Sequence, residues 1–317
     1  MLAFLRCLAA GSLVCAACSG PAPTSSDPSL ESLQGRSIEG CPVFPDDNPW
    51  NRDVSQDPVD PNSDAYIEYI QQSGGGTTLD PNLGRDPNKG IPFIVVPGDE
   101  PRVAISFELE SQSDEGPYPI PGDAPIEGGL ASHGDRHVIA IDRDACMLYE
   151  LFSAYYGPAG WSATSGAVFD LRSNALRPDF RTSADAAGLP VFPGLIRYDE
   201  LFSAQGIRHA LRFTAHVTQR AFVHPATHYA SDVMDPNAPP MGMRIRLKQS
   251  FDTSGYSGVA RAILETLKIY GAFLSDNGVS WTFEGVPHSS WNEEEIDQLR
   301  SVSGDAFEVV ELGEIYR

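Results

Sequence analysis

The chain has 317 residues and a formal net charge of −21, from 43 acidic and 22 basic side chains. Binding a nucleic-acid backbone or an anionic lipid surface needs clustered positive charge, so this balance argues against both kinds of partner. Hydrophobic residues make up 41% of the chain and charged residues 21%, which is ordinary globular usage and predicts that most of the chain folds.

The first 17 residues have the features of a signal peptide. Arg6 supplies a minimal positive region, and the apolar run from Cys7 to Ala17 is too short to span a bilayer. The small residues before Cys18 resemble a bacterial lipoprotein signal, in which this cysteine is lipidated and becomes the new N-terminus, although Cys15 stands where such signals usually have leucine. We therefore expect an extracytoplasmic protein that is anchored by Cys18 to the bacterial outer membrane. Ordinary cleavage and secretion is the alternative.

The rest of the chain divides into a tether and a folded part. Residues 18–40 are rich in Ser, Pro and Gly and predict a flexible tether. Residues 41–317 predict a single globular β-rich domain, with a possible small α+β subdomain at residues 250–317. No repeat of solenoid or propeller length is visible.

Hydrophobic periodicity and turn residues predict the elements of the folded part in chain order. Helices are expected at residues 64–72, 257–270 and 292–300, and a helical turn at 183–187. A hairpin is expected from strands 137–141 and 146–152, and a second from 272–275 and 279–283, turning at Asp276-Asn277-Gly278. Further strands are expected at residues 92–96, 102–109, 167–171, 209–215, 220–223 and 243–248.

These elements indicate a mainly β fold. The 29 glycines and 26 prolines fit a turn-rich architecture. We expect a β-sandwich or a jelly-roll-like core with two or three helices and long Gly/Pro loops. An α+β layout is the alternative.

Two cysteines remain once the signal peptide and Cys18 are set aside. In an oxidising compartment, Cys41 and Cys146 most simply form a disulfide. Two buried free thiols are the alternative. The pair lacks the CxxC spacing of a metal site.

Residues with chemical potential concentrate in the centre of the chain. His137 shares a strand face with Ile139 and Ile141, and His209 shares one with Leu211, so two inward histidines could converge. We expect an acid–base site formed by His137, Asp170, Glu200 and His209. The candidate substrate-binding residues are Arg172, Arg197 and Arg212, which could hold a carboxylate, together with His228 and Trp161.

Structural roles are the alternative for each of these residues. An inward histidine is often a hydrogen-bonded core residue, Asp170 and Arg172 could form an ion pair, and a tryptophan can fix a loop to the core. The sequence requires no cofactor. A divalent metal stays an open alternative, because residue type alone supports it.

Familiar catalytic motifs are absent from the sequence, among them GxSxG, HExxH, the P-loop and GxGxxG. Ser132-His133-Gly134 resembles the Ser-His-Gly-Cys motif of L,D-transpeptidases. Asp135 stands where that family has its nucleophilic cysteine, and a carboxylate cannot form the thioester. The sequence therefore does not predict that activity.

Six segments carry a resemblance to a family of uncharacterised secreted bacterial proteins. The likeness covers essentially everything after residue 40 and implies export and one extended domain, but it brings no activity or site residue. The segments are Cys41 to Asn51, Gly116 to Pro121, Gly134 to Val138, Ser165 to Pro178, Ser183 to Pro190 and His224 to Ser231.

Three functions remain compatible with the sequence. The first is a cell-envelope enzyme acting on polysaccharide as a hydrolase or lyase. The second is a non-catalytic surface module that binds glycan or protein, and the third is a structural lipoprotein. The expected partner is a polysaccharide or another extracellular ligand, with contact to the membrane only through the N-terminal lipid and no nucleic acid.

Overall fold

The computed structural model describes residues 36–317. The signal peptide, Cys18 and most of the tether lie outside the described residues. Residues 36–40, which the sequence assigned to the tether, contribute a short strand, and Arg36 is buried in an ion pair with Asp46 at 2.6 Å.

Strands dominate the described part, which confirms the prediction of a mainly β fold. The four α-helices of residues 36–317 are α1 (Ser63–Gln72), α2 (Tyr198–Leu201), α3 (Gly258–Ile269) and α4 (Glu293–Asp297). The seventeen strands are β1 (Ser37–Ile38), β2 (Cys41–Pro42), β3 (Asp80–Asn82), β4 (Ile94–Val96), β5 (Ile105–Phe107), β6 (Val138–Asp142), β7 (Met147–Phe152), β8 (Tyr155–Gly157), β9 (Gly160–Ala163), β10 (Ser165–Asp170), β11 (Leu211–Ala215), β12 (Phe222–Val223), β13 (Arg244–Leu247), β14 (Ala272–Asn277), β15 (Thr282–Glu284), β16 (Phe307–Val309) and β17 (Ile315–Tyr316).

The largest sheet has six strands in the order β16-β13-β14-β11-β15-β3. The predicted hairpin of residues 272–275 and 279–283 is wrong, because β11 lies between β14 and β15 and pairs with both. The segment that was expected to turn instead extends β14 as far as Asn277. As a result, Asp276 lies opposite Thr214 of β11.

The two faces of this sheet differ in polarity. Successive side chains of a strand point to opposite faces. In β11, Leu211 and Phe213 belong to the large hydrophobic core, whereas Arg212 and Thr214 take the other face. Helix α3 adds its apolar face to the same core, including Val259, Ile263, Leu264 and Leu267.

A four-stranded sheet, ordered β10-β7-β6-β4, lies between two hydrophobic clusters. Ile139 and Ile141 of β6 belong to the large core, while Val138 and Ala140 belong to a smaller cluster. The predicted hairpin of residues 137–141 and 146–152 is confirmed as β6 and β7. The smaller cluster also packs against the three-stranded sheet β5-β9-β8.

The predicted disulfide between Cys41 and Cys146 is confirmed. It joins β2 to the residue before β7 and closes a loop of 105 residues. Such a bond persists in an oxidising, extracytoplasmic environment. Within residues 36–317, no helix combines the length and the hydrophobicity needed to cross a membrane.

Candidate functional site

A cavity of about 420 Å³ lies on the polar face of the six-stranded sheet. Alternate residues of neighbouring strands form its floor: Arg212 and Thr214 of β11, and Thr282 and Glu284 of β15. Its other charged lining residues are Asp80, Lys89, Asp135, His137, Asp276 and Arg300. The volume lies within the range of small-ligand sites.

Arg212, on the floor of this cavity, is paired with two carboxylates. Its Nη2 donates to Asp185 Oδ2 at 2.6 Å, and its Nη1 donates to Glu284. Asp185 also accepts at Oδ1 from the backbone N–H of Ala187, at 2.9 Å. Burial raises the pKa of Asp185 to about 6, against the opposing effect of Arg212.

The pKa of Asp276 is raised further than that of Asp185. Burial, and then the charge of Asp185, raise its pKa to about 7, although Arg212 opposes the shift. Asp276 is half-buried and accepts a hydrogen bond from the backbone N–H of Asn277 at 2.6 Å. It also lines a second cavity of about 190 Å³ together with Asp185 and His228. A carboxyl of this kind can give or take a proton near neutral pH.

His137 contributes a fixed positive charge. Its Nδ1 lies 2.7 Å from Glu127 Oε2, and its Nε2 lies 2.9 Å from the carbonyl oxygen of Ala184. Both oxygens are acceptors, so both ring nitrogens must donate, which requires the imidazolium form. Burial lowers the pKa of His137, but the charge and hydrogen bond of Glu127 outweigh it and raise this pKa to about 9. We call Arg212, Asp185, Glu284, Asp276 and His137 the cavity cluster.

Three of the predicted residues form a separate group that we call the closed cluster: Arg197, Glu200 and His209. Arg197 Nη2 lies 2.8 Å from Glu200 Oε1, and His209 Nε2 lies 3.0 Å from Glu200 Oε2. His209 Nδ1 faces the carbonyl oxygen of Ala210 at 2.8 Å. All three side chains are at most 3% exposed, and none of them lines the cavity of Asp276.

Of the remaining predicted residues, only His228 shares a cavity with members of the cavity cluster, and Asp170, Arg172 and Trp161 lie apart from it. Asp170, at the end of β10, pairs with Arg172 at 3.2 Å, and both side chains are exposed. Trp161 is buried in β9. His228 lines the smaller cavity, where its Nδ1 donates to the carbonyl oxygen of Ala186 at 2.9 Å. The structure therefore brings together two of the predicted residues, His137 and Arg212, and places His209 in the other cluster.

The carboxyls around Arg212 were missed by the sequence analysis. Asp276 was assigned to a hairpin turn, and Asp185 to a helical turn. Glu284 carried a usable signal, because Thr282 and Glu284 alternate with the core residue Phe283 and must share the opposite face. Asp135, which precedes the predicted strand of His137 but is not among the predicted site residues, also lines the cavity.

No group of three or more His, Cys, Asp or Glu side chains in the described residues is arranged to hold a metal ion. Comparison of the chain with protein-family models, with curated proteins and with solved structures finds no match. The chemistry of the cavity has to be inferred from its own residues.

Proposed function

We propose that the protein is an extracytoplasmic glycoside hydrolase that cleaves a neutral polysaccharide in the cavity of Asp276. One observation carries the proposal: a carboxyl with a pKa of about 7 lies in a polar cavity that contains further carboxylates. Glycoside hydrolysis uses a protonated carboxyl as acid and a second carboxylate as base or nucleophile. Raising the pKa of the acid is how such enzymes keep its proton near neutral pH.

Asp276 would protonate the glycosidic oxygen as the bond from the anomeric carbon to this oxygen breaks. Asp135, which is exposed at the same cavity, would accept a proton from the attacking water, whose oxygen forms the new bond to carbon. Glu284 and Asp80 are the other carboxylates of this cavity, but they are ion-paired with Arg212 and Arg300. An ion-paired carboxylate is a weaker base, so we assign the role to Asp135.

The pairing of the cations favours hydrolysis of a neutral chain over elimination from an acidic one. A lyase must neutralise a substrate carboxylate, but both Nη atoms of Arg212 contact protein carboxylates. The other three cations of the cavity are also paired: His137 with Glu127, Arg300 with Asp80, and Lys89 with Glu293 at 3.7 Å. Sugar hydroxyls, in contrast, can donate to the cavity carboxylates.

Reducing-end release from a panel of neutral and acidic polysaccharides tests the proposal. We expect the protein to release reducing ends from a neutral member such as xylan, mannan or β-glucan. Asp276→Asn should slow this release by about 100-fold or more, because it removes the proton donor. Asp64→Asn, an equal change on the exposed side of α1, is the matched control and should be unaffected.

Three results would count against the proposed function. Full activity of Asp276→Asn would remove the general acid, and unsaturated products from acidic polymers alone would indicate a lyase. Glycan binding without turnover would favour the surface-module alternative. Asp170→Asn in the same assay tests the catalytic role that the sequence predicted for Asp170.

We also propose that the lipid on Cys18 anchors the domain to the outer membrane. The signal-like segment before Cys18 and the disulfide, which fits an oxidising compartment, support this location. We expect the wild-type chain in the membrane fraction and Cys18→Ala in the soluble envelope fraction. Recovery of the wild type from the soluble fraction would contradict anchoring.

A further inference from the structure

A larger and less polar cavity, of about 950 Å³, lies beside the cavity of Asp276. Its apolar walls are four prolines with one alanine, one isoleucine, one leucine and one tyrosine, and polar side chains, including Asn88 and Asp123, lie among them. A mostly apolar surface with a few polar groups suits a ligand that is itself amphipathic, such as a sugar ring. The apolar wall residues are Pro87, Pro92, Ala124, Pro125, Ile126, Leu130, Tyr156 and Pro287.

Tyr156 of β8 lines this cavity with an exposed aromatic ring on which a ligand could stack. It is 54% exposed, and its ring packs against buried Trp161, with centroids 5.0 Å apart and the ring planes tilted by 49°. Gly122 makes room for the ring, since a Cβ at that position would lie within 2.5 Å of Tyr156 Cζ. An exposed aromatic ring supported from below loses little side-chain entropy when a ligand stacks on it.

Two chain segments join this cavity to the proposed catalytic one. Asn88 lines the larger cavity, and the next residue, Lys89, lines the cavity of Asp276. In the second segment, Leu130 lines the larger cavity, and Asp135, on the same loop, lines the cavity of Asp276. Arg136 stabilises that loop by donating to the carbonyl oxygens of Leu130 and Ser132, at 3.1 and 2.9 Å.

We propose that the larger cavity is a binding subsite for sugar units adjacent to the bond cleaved at Asp276, with Tyr156 as the stacking platform. This inference rests on the proposed function, because it assigns both cavities to one polysaccharide chain. The ligand is a neutral glycan, since the cavity contains both Asp123 and Arg85 and so has no excess of positive charge to attract an anionic chain. Tyr156 would contribute to substrate binding, and the acid–base step would stay with Asp276.

Calorimetric titration of the full chain in an Asp276→Asn background separates this binding from turnover. The probes are xylohexaose, mannohexaose and cellohexaose. We expect one of them to bind, and Tyr156→Ala to weaken its Kd by about tenfold. Tyr156→Phe keeps the ring and should stay within about twofold. Phe180→Ala removes an equally exposed aromatic side chain outside both cavities and is the matched control.

The outcomes separate the subsite from the catalytic proposal. Unchanged binding by Tyr156→Ala, or no binding of any hexasaccharide, overturns the subsite. Binding that depends on Tyr156 in a protein without turnover supports the subsite and contradicts only the hydrolase. If Tyr156→Ala fails to fold, Leu130→Ala gives the same test, because Leu130 is 85% exposed in the same cavity. In the active chain, either substitution should raise KM and leave kcat nearly unchanged.

Discussion

The closed cluster and the cavity cluster are built from the same kinds of side chain but differ in charge balance. In the closed cluster, Glu200 is shared by Arg197 and His209, so each carboxylate oxygen faces a buried side-chain nitrogen. In the cavity cluster, Arg212 is paired directly with Asp185 and Glu284, and Asp276 lies close enough to interact electrostatically with Asp185. Burial, and then the charge of Asp185, raise the pKa of Asp276 to about 7, against the opposing charges of Arg212 and His137.

This difference shows what composition alone does not decide. A histidine, an arginine and a glutamate close in sequence form a static ion-pair group when they are sealed from solvent. A similar set beside a cavity, with a surplus carboxyl, can exchange a proton with a bound molecule. Access and charge surplus thus distinguish a candidate site from a structural element.

The largest effect is expected from breaking the closed cluster. Glu200→Gln would leave the buried guanidinium of Arg197 without its buried partner, and removing one member of such a pair typically costs about 3–5 kcal/mol of unfolding free energy. Asp199 also contacts Arg197, at 3.3 Å, but its side chain is mostly exposed and should offset only part of this cost. Urea unfolding measures the loss.

Glu115→Gln provides the control, because it makes the same change at an exposed position and should alter stability by less than about 0.5 kcal/mol. Folded Glu200→Gln should keep the activity of the wild type, since Glu200 does not line the cavity of Asp276. A variant of normal stability that has lost activity would show that the closed cluster serves catalysis, as the sequence analysis expected.

Only some of the residues that line the cavity of Asp276 could be predicted from the sequence, for a physical reason. Local periodicity predicted an inward His137, and its side chain is buried, because the residues that follow it in β6 alternate between the large core and the smaller cluster. The hairpin signal at Asp276-Asn277-Gly278 was equally strong locally, but tertiary pairing with β11 overrode it. The raised pKa of Asp276 comes from burial and then from the charge of Asp185, about 90 residues earlier in the chain, and no local sequence pattern indicates either effect.

The disulfide and the mainly β fold could be predicted from the sequence, because one follows from the number of cysteines and the other from the number of turns. Cysteine number in an exported chain leaves a single pairing, and frequent turns between short strands indicate sheets. The strand order could not be predicted from the sequence, since the position of β11 between β14 and β15 depends on contacts between distant segments. The cavity exists because of that order.

A smaller effect, in stability rather than activity, sharpens the comparison further. The pKa of Asp276 is about 7 in the folded protein against an ordinary value of 3.8, so between these pH values the folded state holds a proton that the unfolded state has lost. Raising the pH across this window therefore destabilises the wild type. The amide of the Asp276→Asn variant cannot titrate, so this variant should gain stability relative to the wild type, by about 1 kcal/mol near pH 7.5 once solvent screening of the half-buried carboxyl is allowed for.

Urea unfolding at a series of pH values from about 4 to 8 measures the difference, with Asp64→Asn as the reference. Parallel curves for Asp276→Asn and the wild type would mean that Asp276 is ionised throughout. In that case the cavity cluster would be as static as the closed cluster, and Asp276 could not serve as the general acid.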